Sequence, residues 1–278
     1  MKIYFYISFI LPITVLIMGC AIMPVCMDRS SKAQAIADEA GFSKEYIKAG
    51  DFTLMTYQRF NKPSDTISIY IEGDGRSWET RHELSRDPTP SNPVALKLAA
   101  LDISDNVAYI ARPGQYPLSG IPDCDSKYWS SSRFAPEVVA SMSQAIDILK
   151  EKAGVKYVQL LGYSGGGAIA VLVTAKRHDV RALRTVAGNL NSKAFCNYHH
   201  VDQLDGSMDP MDAAQDVARI PQLHFVGLKD KIVPLAIAES FVQAQGDKDD
   251  RRISVVDGVT HNDGWTKRWR ELLAVPLR

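Results

Sequence analysis

The spacing of apolar residues along the chain predicts strands and helices in alternation. Apolar side chains at every second position predict a strand over residues 66–72. Apolar side chains three or four positions apart predict a helix that begins at Pro136 and ends at Gly154, since proline suits the first turn of a helix and glycine its end. The same criteria predict further strands at residues 52–60, 106–111, 157–161, 181–187, 222–226 and 252–256. Further helices are predicted at residues 93–101, 168–176, 234–245 and 265–273.

This alternation predicts a mainly parallel sheet, because parallel strands need crossover connections, which are usually helices. Residues that follow the strands should then gather at one edge of the sheet, where sites form in proteins of this class. Two longer segments, residues 114–132 and 188–219, interrupt the pattern, and the second contains a predicted short helix at 210–218. We expect them to cover the site as loops, with no large lid domain.

The first residues have a different character from the rest of the chain. A lysine at position 2 precedes an uncharged, largely apolar run that continues to residue 27, which is typical of a secretory signal. The run contains Cys20 after a glycine, which resembles the lipobox of bacterial lipoproteins. The resemblance implies cleavage before Cys20, its lipidation, and an exported domain anchored to a membrane of the cell envelope. An uncleaved membrane helix and a soluble secreted form remain as alternatives.

The predicted export changes how the other cysteines are interpreted. Cys124 and Cys196 both fall in segments that follow predicted strands, so they should lie at the same edge of the sheet. An oxidising compartment permits a disulfide between them. The alternative is two unrelated free thiols.

A glycine-rich segment directly follows the strand predicted at residues 157–161. Gly162, Ser164 and Gly166 fit the G-x-S-x-G nucleophile elbow, in which a strand turns sharply into a helix. The small residues give space for the turn, and the helix presents its N-terminus to a developing anion. The alternative is a glycine-rich turn with an incidental serine.

A serine nucleophile requires a base, and the base requires an acid that orients it. Asp230 follows the strand at residues 222–226, and His261 follows the strand at 252–256. The order Ser164, Asp230, His261 is that of the α/β-hydrolases. Asp257 and Asp263 lie close to His261 in sequence and remain alternative acids, and Asp230 on its own could be a turn residue.

From about residue 52 to its end, the chain therefore resembles an α/β-hydrolase, similar to uncharacterised bacterial lipoproteins of that superfamily. The resemblance implies an α/β-hydrolase fold with helices on both faces of the sheet, in which Ser164 attacks, His261 transfers the proton and Asp230 orients the imidazole. The oxyanion would be bound by the backbone N–H groups of Gly165 and Asp74. The family often has His-Gly where this chain has Glu72 and Gly73.

Three regions follow from this interpretation: a lipoprotein signal peptide at residues 1–20, a linker and lead-in at 21–50, and an α/β-hydrolase domain at 51–278. The leading function is a serine hydrolase that acts on esters or similar acyl compounds. A peptidase, an acyltransferase and a catalytically inert surface lipoprotein remain alternatives. Glu72 is also a candidate partner for Arg112, at the end of the next strand.

Charge and motifs restrict the partners of the protein. Lys plus Arg and Asp plus Glu both number 32, so no basic excess indicates nucleic-acid binding. The sequence has no dinucleotide fingerprint and no P-loop, so we expect no cofactor. We also expect no metal, because the adjacent His199 and His200 cannot easily face one ion. A small acyl compound is the expected substrate, and oligomeric state is left open.

Overall fold

The computed structural model describes residues 1, 28–61, 63–246 and 251–278. Within these residues the strands are β1 (Ser43–Ala49), β2 (Phe52–Phe60), β3 (Thr66–Ile71), β4 (Asn106–Ile110), β5 (Tyr157–Tyr163), β6 (Val180–Val186), β7 (Gln222–Gly227) and β8 (Ile253–Val256). They form one sheet in the order β1-β2-β4-β3-β5-β6-β7-β8. The pairs β1–β2 and β2–β4 are antiparallel, and the other neighbours are parallel. The mainly parallel sheet is therefore confirmed.

Helices pack on both faces of this sheet. They are α1 (Arg29–Glu39), α2 (Val94–Leu101), α3 (Pro136–Ala153), α4 (Gly165–Thr174), α5 (Ser192–His199), α6 (Leu235–Ala244) and α7 (Trp265–Leu273). One hydrophobic cluster contains buried residues of α3, α4 and α6, and a second contains those of α1, α2 and α7. Each face of the sheet thus excludes water from its own apolar core.

The local signals in the sequence explain several of these boundaries. Pro136 is the first residue of α3, and Gly154 ends the helix in the left-handed conformation, with φ of 66°. A residue with a Cβ adopts that conformation only at a cost, so glycine is favoured there. α5 was not predicted; Asn191 caps its start by accepting a hydrogen bond from the backbone N–H of Ala194.

The folded unit begins earlier than residue 51, which corrects the predicted domain boundary. β1 is the edge strand of the sheet and pairs with β2 from Ser43 to Ala49. α1 buries Ala33 and Ala37 against the second cluster. The sequence indicates only a short amphipathic lead-in here, and the positions of α1 that the fold buries are the small side chains of Ala33 and Ala37.

The predicted signal peptide at 1–20, including Cys20, lies outside the described residues apart from Met1. In the part of the chain that the structure covers, no helix combines the length and the apolar character needed to cross a bilayer. Lipidation of Cys20 and anchoring to a membrane therefore stay predictions.

The parallel strands bring distant segments to one edge. Ser164 follows β5, Asp230 lies shortly after β7, and His261 lies shortly after β8. The turn at Gly73 and Asp74 follows β3, which is the neighbour of β5 on its other side. The site is therefore assembled around the carboxyl end of β5, with the Asp74 turn on one side and the Asp230 and His261 segments on the other.

Candidate active site

Ser164 occupies a strained turn between β5 and α4. Its backbone has φ of 51° and ψ of −120°, in a region that a residue with a Cβ rarely adopts. The backbone N–H of Ser164 donates to Val186 O, and its carbonyl accepts from the N–H groups of Gly167 and Asn189. This surrounding structure maintains the strain, which is a feature of functional sites.

Glycine is required around Ser164 because the backbone segments approach closely. A Cβ at Gly162 would lie 2.2 Å from the carbonyl oxygen of Gly166, and a Cβ at Gly166 would lie 2.3 Å from that of Ile71. Both distances are shorter than real Cβ contacts. The glycines therefore allow α4 to start directly against the sheet.

The structure brings together the three side chains predicted as a triad. His261 Nε2 lies 3.0 Å from Ser164 Oγ, and His261 Nδ1 lies 2.8 Å from Asp230 Oδ2. The side chain of Asp230 is fully buried, and that of His261 is nearly so. These distances connect hydroxyl, imidazole and carboxylate by consecutive hydrogen bonds.

The carboxylate of Asp230 is held by the turn that follows it. Its Oδ1 accepts hydrogen bonds from the backbone N–H groups of Ile232 and Val233, both at 2.8 Å. One oxygen is thus bound to the main chain, and the other is directed to His261. Asp230 is a turn residue and a histidine partner at once, so the two interpretations of the sequence do not exclude each other.

Side chains that the sequence analysis did not assign to the site fix the histidine segment. The His261 carbonyl accepts from Trp265 Nε1 at 2.8 Å and from the Tyr163 hydroxyl at 3.2 Å. That hydroxyl also lies 2.9 Å from Asn262 Oδ1. Tyr163 directly precedes the serine, so its position in the elbow was the one signal in the sequence.

The turn at Gly73 and Asp74 packs against the serine. A Cβ at Gly73 would lie 3.2 Å from Ser164 Cβ, and a Cβ at Gly165 would lie 1.9 Å from Asp74 Oδ1. As the first residue of α4, Gly165 has a backbone N–H without an intrahelical acceptor. The predicted oxyanion donors, Gly165 and Asp74, thus lie on segments in close contact beside Ser164.

Gln115 secures this turn and was not identified from the sequence. Its Nε2 donates to Gly73 O at 2.9 Å, and its Oε1 accepts from the backbone N–H of Arg112 at 3.0 Å. The side chain is buried. Gln115 therefore links the end of β3 to the end of β4. The sequence indicated only that its loop lies at this edge of the sheet.

The predicted pairing of Glu72 with Arg112 is wrong. Glu72 accepts from the backbone N–H groups of Gly73, at 3.0 Å, and Ala95, at 3.4 Å. Arg112 instead lies 3.4 Å from Asp74, because the turn at Gly73 carries Asp74 towards the end of β4. Burial raises the pKa of the Glu72 carboxyl to about 7, and its hydrogen bonds oppose that shift.

The disulfide between Cys124 and Cys196 is also wrong, since the structure holds both as free thiols. Cys196 lies on α5 and is buried, so it does not belong to the loop that the prediction assumed. Cys124 lies in the loop after β4 and packs against the first cluster. Burial raises the pKa of the Cys124 thiol to about 12 and also raises that of Cys196.

No group of histidine, cysteine and carboxylate side chains in the described residues is arranged to hold a metal ion. His199 Nε2 lies 2.7 Å from Ile232 O, and its ring packs against Phe195. His200 ends α5 in the left-handed conformation. The adjacent histidines therefore have separate structural environments.

Solved structures define the fold of this chain. Puromycin hydrolase superposes with a TM-score of 0.59 at 15% identity, over 82% of this chain and 37% of that protein. The acylaminoacyl peptidase of Pyrococcus horikoshii gives 0.59 at 13%, over 82% of this chain and 38% of that protein. An alpha-beta serine hydrolase homologue from Coxiella burnetii gives 0.56 at 17%, over 83% and 93%. The chain has the α/β-hydrolase fold.

The family follows from the sequence model that the chain matches. Residues 95–258, more than half of the chain, match the model described as serine hydrolase (FSH1), so the chain belongs to this serine hydrolase family. None of the curated proteins is similar enough to the chain to count as a match. The chain spans less than two fifths of the length of the puromycin hydrolase and the acylaminoacyl peptidase that it resembles.

Proposed function

We propose that the protein is a carboxylic ester hydrolase that acts through an acyl-enzyme on Ser164. The single observation that carries this proposal is the continuous set of hydrogen bonds from Ser164 Oγ through His261 to Asp230. A serine hydroxyl is a weak nucleophile at neutral pH, and a base at 3.0 Å makes it reactive. The strained elbow also presents the hydroxyl at the edge of the sheet.

The mechanism follows from these positions. Ser164 Oγ attacks the acyl carbon while His261 Nε2 takes its proton, and Asp230 stabilises the imidazolium that forms. The carbonyl oxygen becomes an oxyanion, which the N–H groups of Gly165 and Asp74 bind. The C–O bond to the leaving group then breaks, and His261 gives the proton to the departing alcohol. Water attacks the acyl-enzyme, with His261 again as base, and releases the acid and Ser164.

The leaving group is placed on the His261 side, because this residue must protonate it. A polar cleft of about 380 Å³ lies beside the segment that follows His261 and is lined by residues that include Asn92, Lys97 and Asn262, but neither Ser164 nor His261 lines it. The side of Gly165 and Asp74 is then left for the oxyanion and the acyl group.

Turnover of a neutral ester series tests the proposal. The full chain should release alcohol from ethyl esters, and Ser164→Ala should lower kcat by about 10³-fold or more, because the nucleophile is lost. Equal melting temperatures of the two proteins show that the fold is intact. Unchanged turnover in Ser164→Ala contradicts the assignment.

A peptidase is the second candidate, because two of the similar structures are named as peptidase or puromycin hydrolase. The same triad cleaves esters and amides, so the site residues do not separate the two activities. A comparison of ethyl esters with anilides of the same acyl group separates the two activities. Faster turnover of the anilides would make the peptidase the better assignment.

The sequence also supports a proposal about location. The apolar run before Cys20 supports export and lipidation at that residue. Cells that express the full chain and are supplied with labelled palmitate should incorporate the label into wild type and not into Cys20→Ser. Label in both proteins would show that Cys20 is not the acylated residue.

A further inference from the structure

Two guanidinium groups share one carboxylate beside the nucleophile. Arg133 Nη1 lies 3.0 Å from Asp74 Oδ2, and Arg112 Nη1 lies 3.4 Å from Asp74 Oδ1. The side chains of Arg112 and Arg133 are here called the arginine pair. Together with the Asp74 carboxylate they carry one positive charge in excess. Since a Cβ at Gly165 would overlap the Asp74 carboxylate, the cluster lies directly against the start of α4.

The arginine pair is built into the protein interior. Only 4% of the Arg112 side chain and 11% of the Arg133 side chain are exposed. Both guanidinium carbons lie within 6 Å of the ring centre of Phe134, at 5.5 and 5.8 Å, and Arg112 Nη2 donates to Arg133 O. Packing therefore fixes two like charges in one place.

This arrangement leaves hydrogen-bonding capacity unused. Among the described residues, Arg112 Nε and Arg133 Nε are buried without an acceptor. Burial, together with the charge of Arg133, lowers the pKa of Arg112 to about 10, although Asp74 opposes the shift. Buried charges and orphaned donors destabilise a fold, so a purely structural role is better filled by apolar side chains. An anionic ligand would offset the excess positive charge at the exposed part of Arg133.

Two other buried carboxyl groups, those of Glu72 and Asp209, each bind backbone N–H groups through one oxygen and have a second oxygen without a partner within the described ranges. Glu72 binds the N–H groups of Gly73 and Ala95. Asp209 accepts from the backbone N–H groups of Ser192 and Met211 through Oδ1. Neither carboxylate forms an ion pair with Arg133 in the part of the chain that the structure describes.

The order of the strands places the arginine pair on the acyl side. Asp74 and Arg112 follow β3 and β4, on one side of β5, whereas Asp230 and His261 follow β7 and β8, on the other. His261 protonates the leaving group, so the leaving group faces β7 and β8. This leaves the side of β3 and β4, where the arginine pair lies, for the acyl group.

We propose that the arginine pair makes the enzyme specific for acyl groups that carry a second, anionic group, with Arg133 binding a carboxylate at the distal end of the acyl chain. Arg133 is the more exposed of the two and reaches Asp74 by a single Nη1 contact. Guanidinium and carboxylate match in geometry and form charge-assisted hydrogen bonds. The substrate class is then a monoester of a dicarboxylic acid. This inference rests on the proposed hydrolase function.

Matched esters test the inference. Monoethyl esters of butanedioic, hexanedioic and octanedioic acid are compared with ethyl butanoate, hexanoate and octanoate. For at least one chain length, kcat/KM should be tenfold or more higher for the anionic ester than for its neutral counterpart. High salt should reduce this ratio, because it screens the attraction. A ratio of one or less at every length overturns the inference, while turnover of the neutral esters would leave the hydrolase proposal standing.

Variants assign the preference to a residue. Arg133→Gln should lower the ratio at least tenfold, mainly through KM for the anionic ester, and Arg133→Lys should keep part of it. Arg181→Gln is the control. Arg181 lies on β6 and forms an exposed ion pair with Asp65. If Arg133→Gln does not fold, inhibition of wild-type neutral ester turnover by the free dicarboxylates replaces it. Inhibition no stronger than by the monocarboxylates, or an unchanged ratio in Arg133→Gln, contradicts the assignment.

Discussion

The hydroxyl of Tyr163 lies 2.9 Å from Asn262 Oδ1, which links the residue before the serine to the residue after the histidine. The Tyr163 ring is also centred 5.3 Å from that of His261. Ser164 and His261 come from strands that are not neighbours in the sheet, so their alignment depends on contacts of this kind. Tyr163 is therefore a positioning residue rather than a catalytic one.

Removing this hydroxyl should reduce turnover without unfolding the protein. Tyr163→Phe loses a hydrogen bond that contributes about 1 kcal/mol, which corresponds to about a fivefold lower kcat with little change in KM. Asn262→Ala should have a smaller effect, because the Tyr163 hydroxyl can still donate to the His261 carbonyl, and the double variant should be no worse than Tyr163→Phe. Tyr198→Phe, at a half-exposed tyrosine on α5, is the control. Additive effects would show that the two residues act separately.

We propose that Asp230 is the acid that orients His261, and a comparison of two carboxylates tests this role. Asp230→Asn keeps the shape but removes the charge, so we expect kcat to fall by about 10³–10⁴-fold, as for this replacement in serine proteases. Asp263→Asn is the matched control, because Asp263 is exposed and lies two residues after His261. The measurement is kcat on a neutral ethyl ester. A greater loss in Asp263→Asn would identify the other acid as the partner.

His224 should make the fold sensitive to acid. Burial lowers its pKa to about 3, while Thr185 Oγ1 and Gln222 Oε1 lie within hydrogen-bonding distance of the ring. The unfolded chain binds this proton near pH 6.5, so the contribution is complete above that pH and is lost as pH falls towards 3. The loss between pH 7.5 and 5 is about 2 kcal/mol.

Urea unfolding of wild type and His224→Gln at pH 7.5 and pH 5 isolates this effect. The variant should show a smaller acid-induced loss in the free energy of unfolding, by about 2 kcal/mol. Glu72 acts in the opposite direction in both proteins, since its raised pKa makes the folded state bind a proton more tightly below about pH 7. Its contribution therefore cancels in the comparison. Equal losses would contradict the buried neutral state of His224.

The free thiols lead to a separate prediction. Because Cys124 and Cys196 are not bonded to each other, a reductant should leave the melting temperature of the protein unchanged. Proteolysis of the exported protein without reductant should give no peptide that joins the two cysteines. Finding that peptide by mass spectrometry would show that the disulfide forms.

Much of the fold was predictable because its signals are local. Alternating apolar residues predict β3, and Pro136 and Gly154 predict the two ends of α3. The glycines around Ser164 predict the elbow. α1 was not recognised as part of the domain, since only two alanines of that helix are buried. A helix held by small side chains lacks the periodicity that a sequence reveals.

The site was predictable only where its residues follow strands. Ser164, Asp230 and His261 could be grouped because parallel strands place their carboxyl ends together. The partner of Arg112 could not be predicted, because one turn decides whether Glu72 or Asp74 reaches it. Arg133 lies in a loop whose path depends on packing around Phe134. No local sequence pattern predicts the contact between Arg133 and Asp74.

The most direct test of the central claim is the site of covalent labelling by a fluorophosphonate. The wild-type protein should gain one adduct, located by peptide mass spectrometry on Ser164, and should lose ester turnover in proportion to labelling. Ser164→Ala should gain none, and His261→Ala should react far more slowly. Labelling of another residue, or full ester turnover in a protein completely labelled on Ser164, would contradict the account.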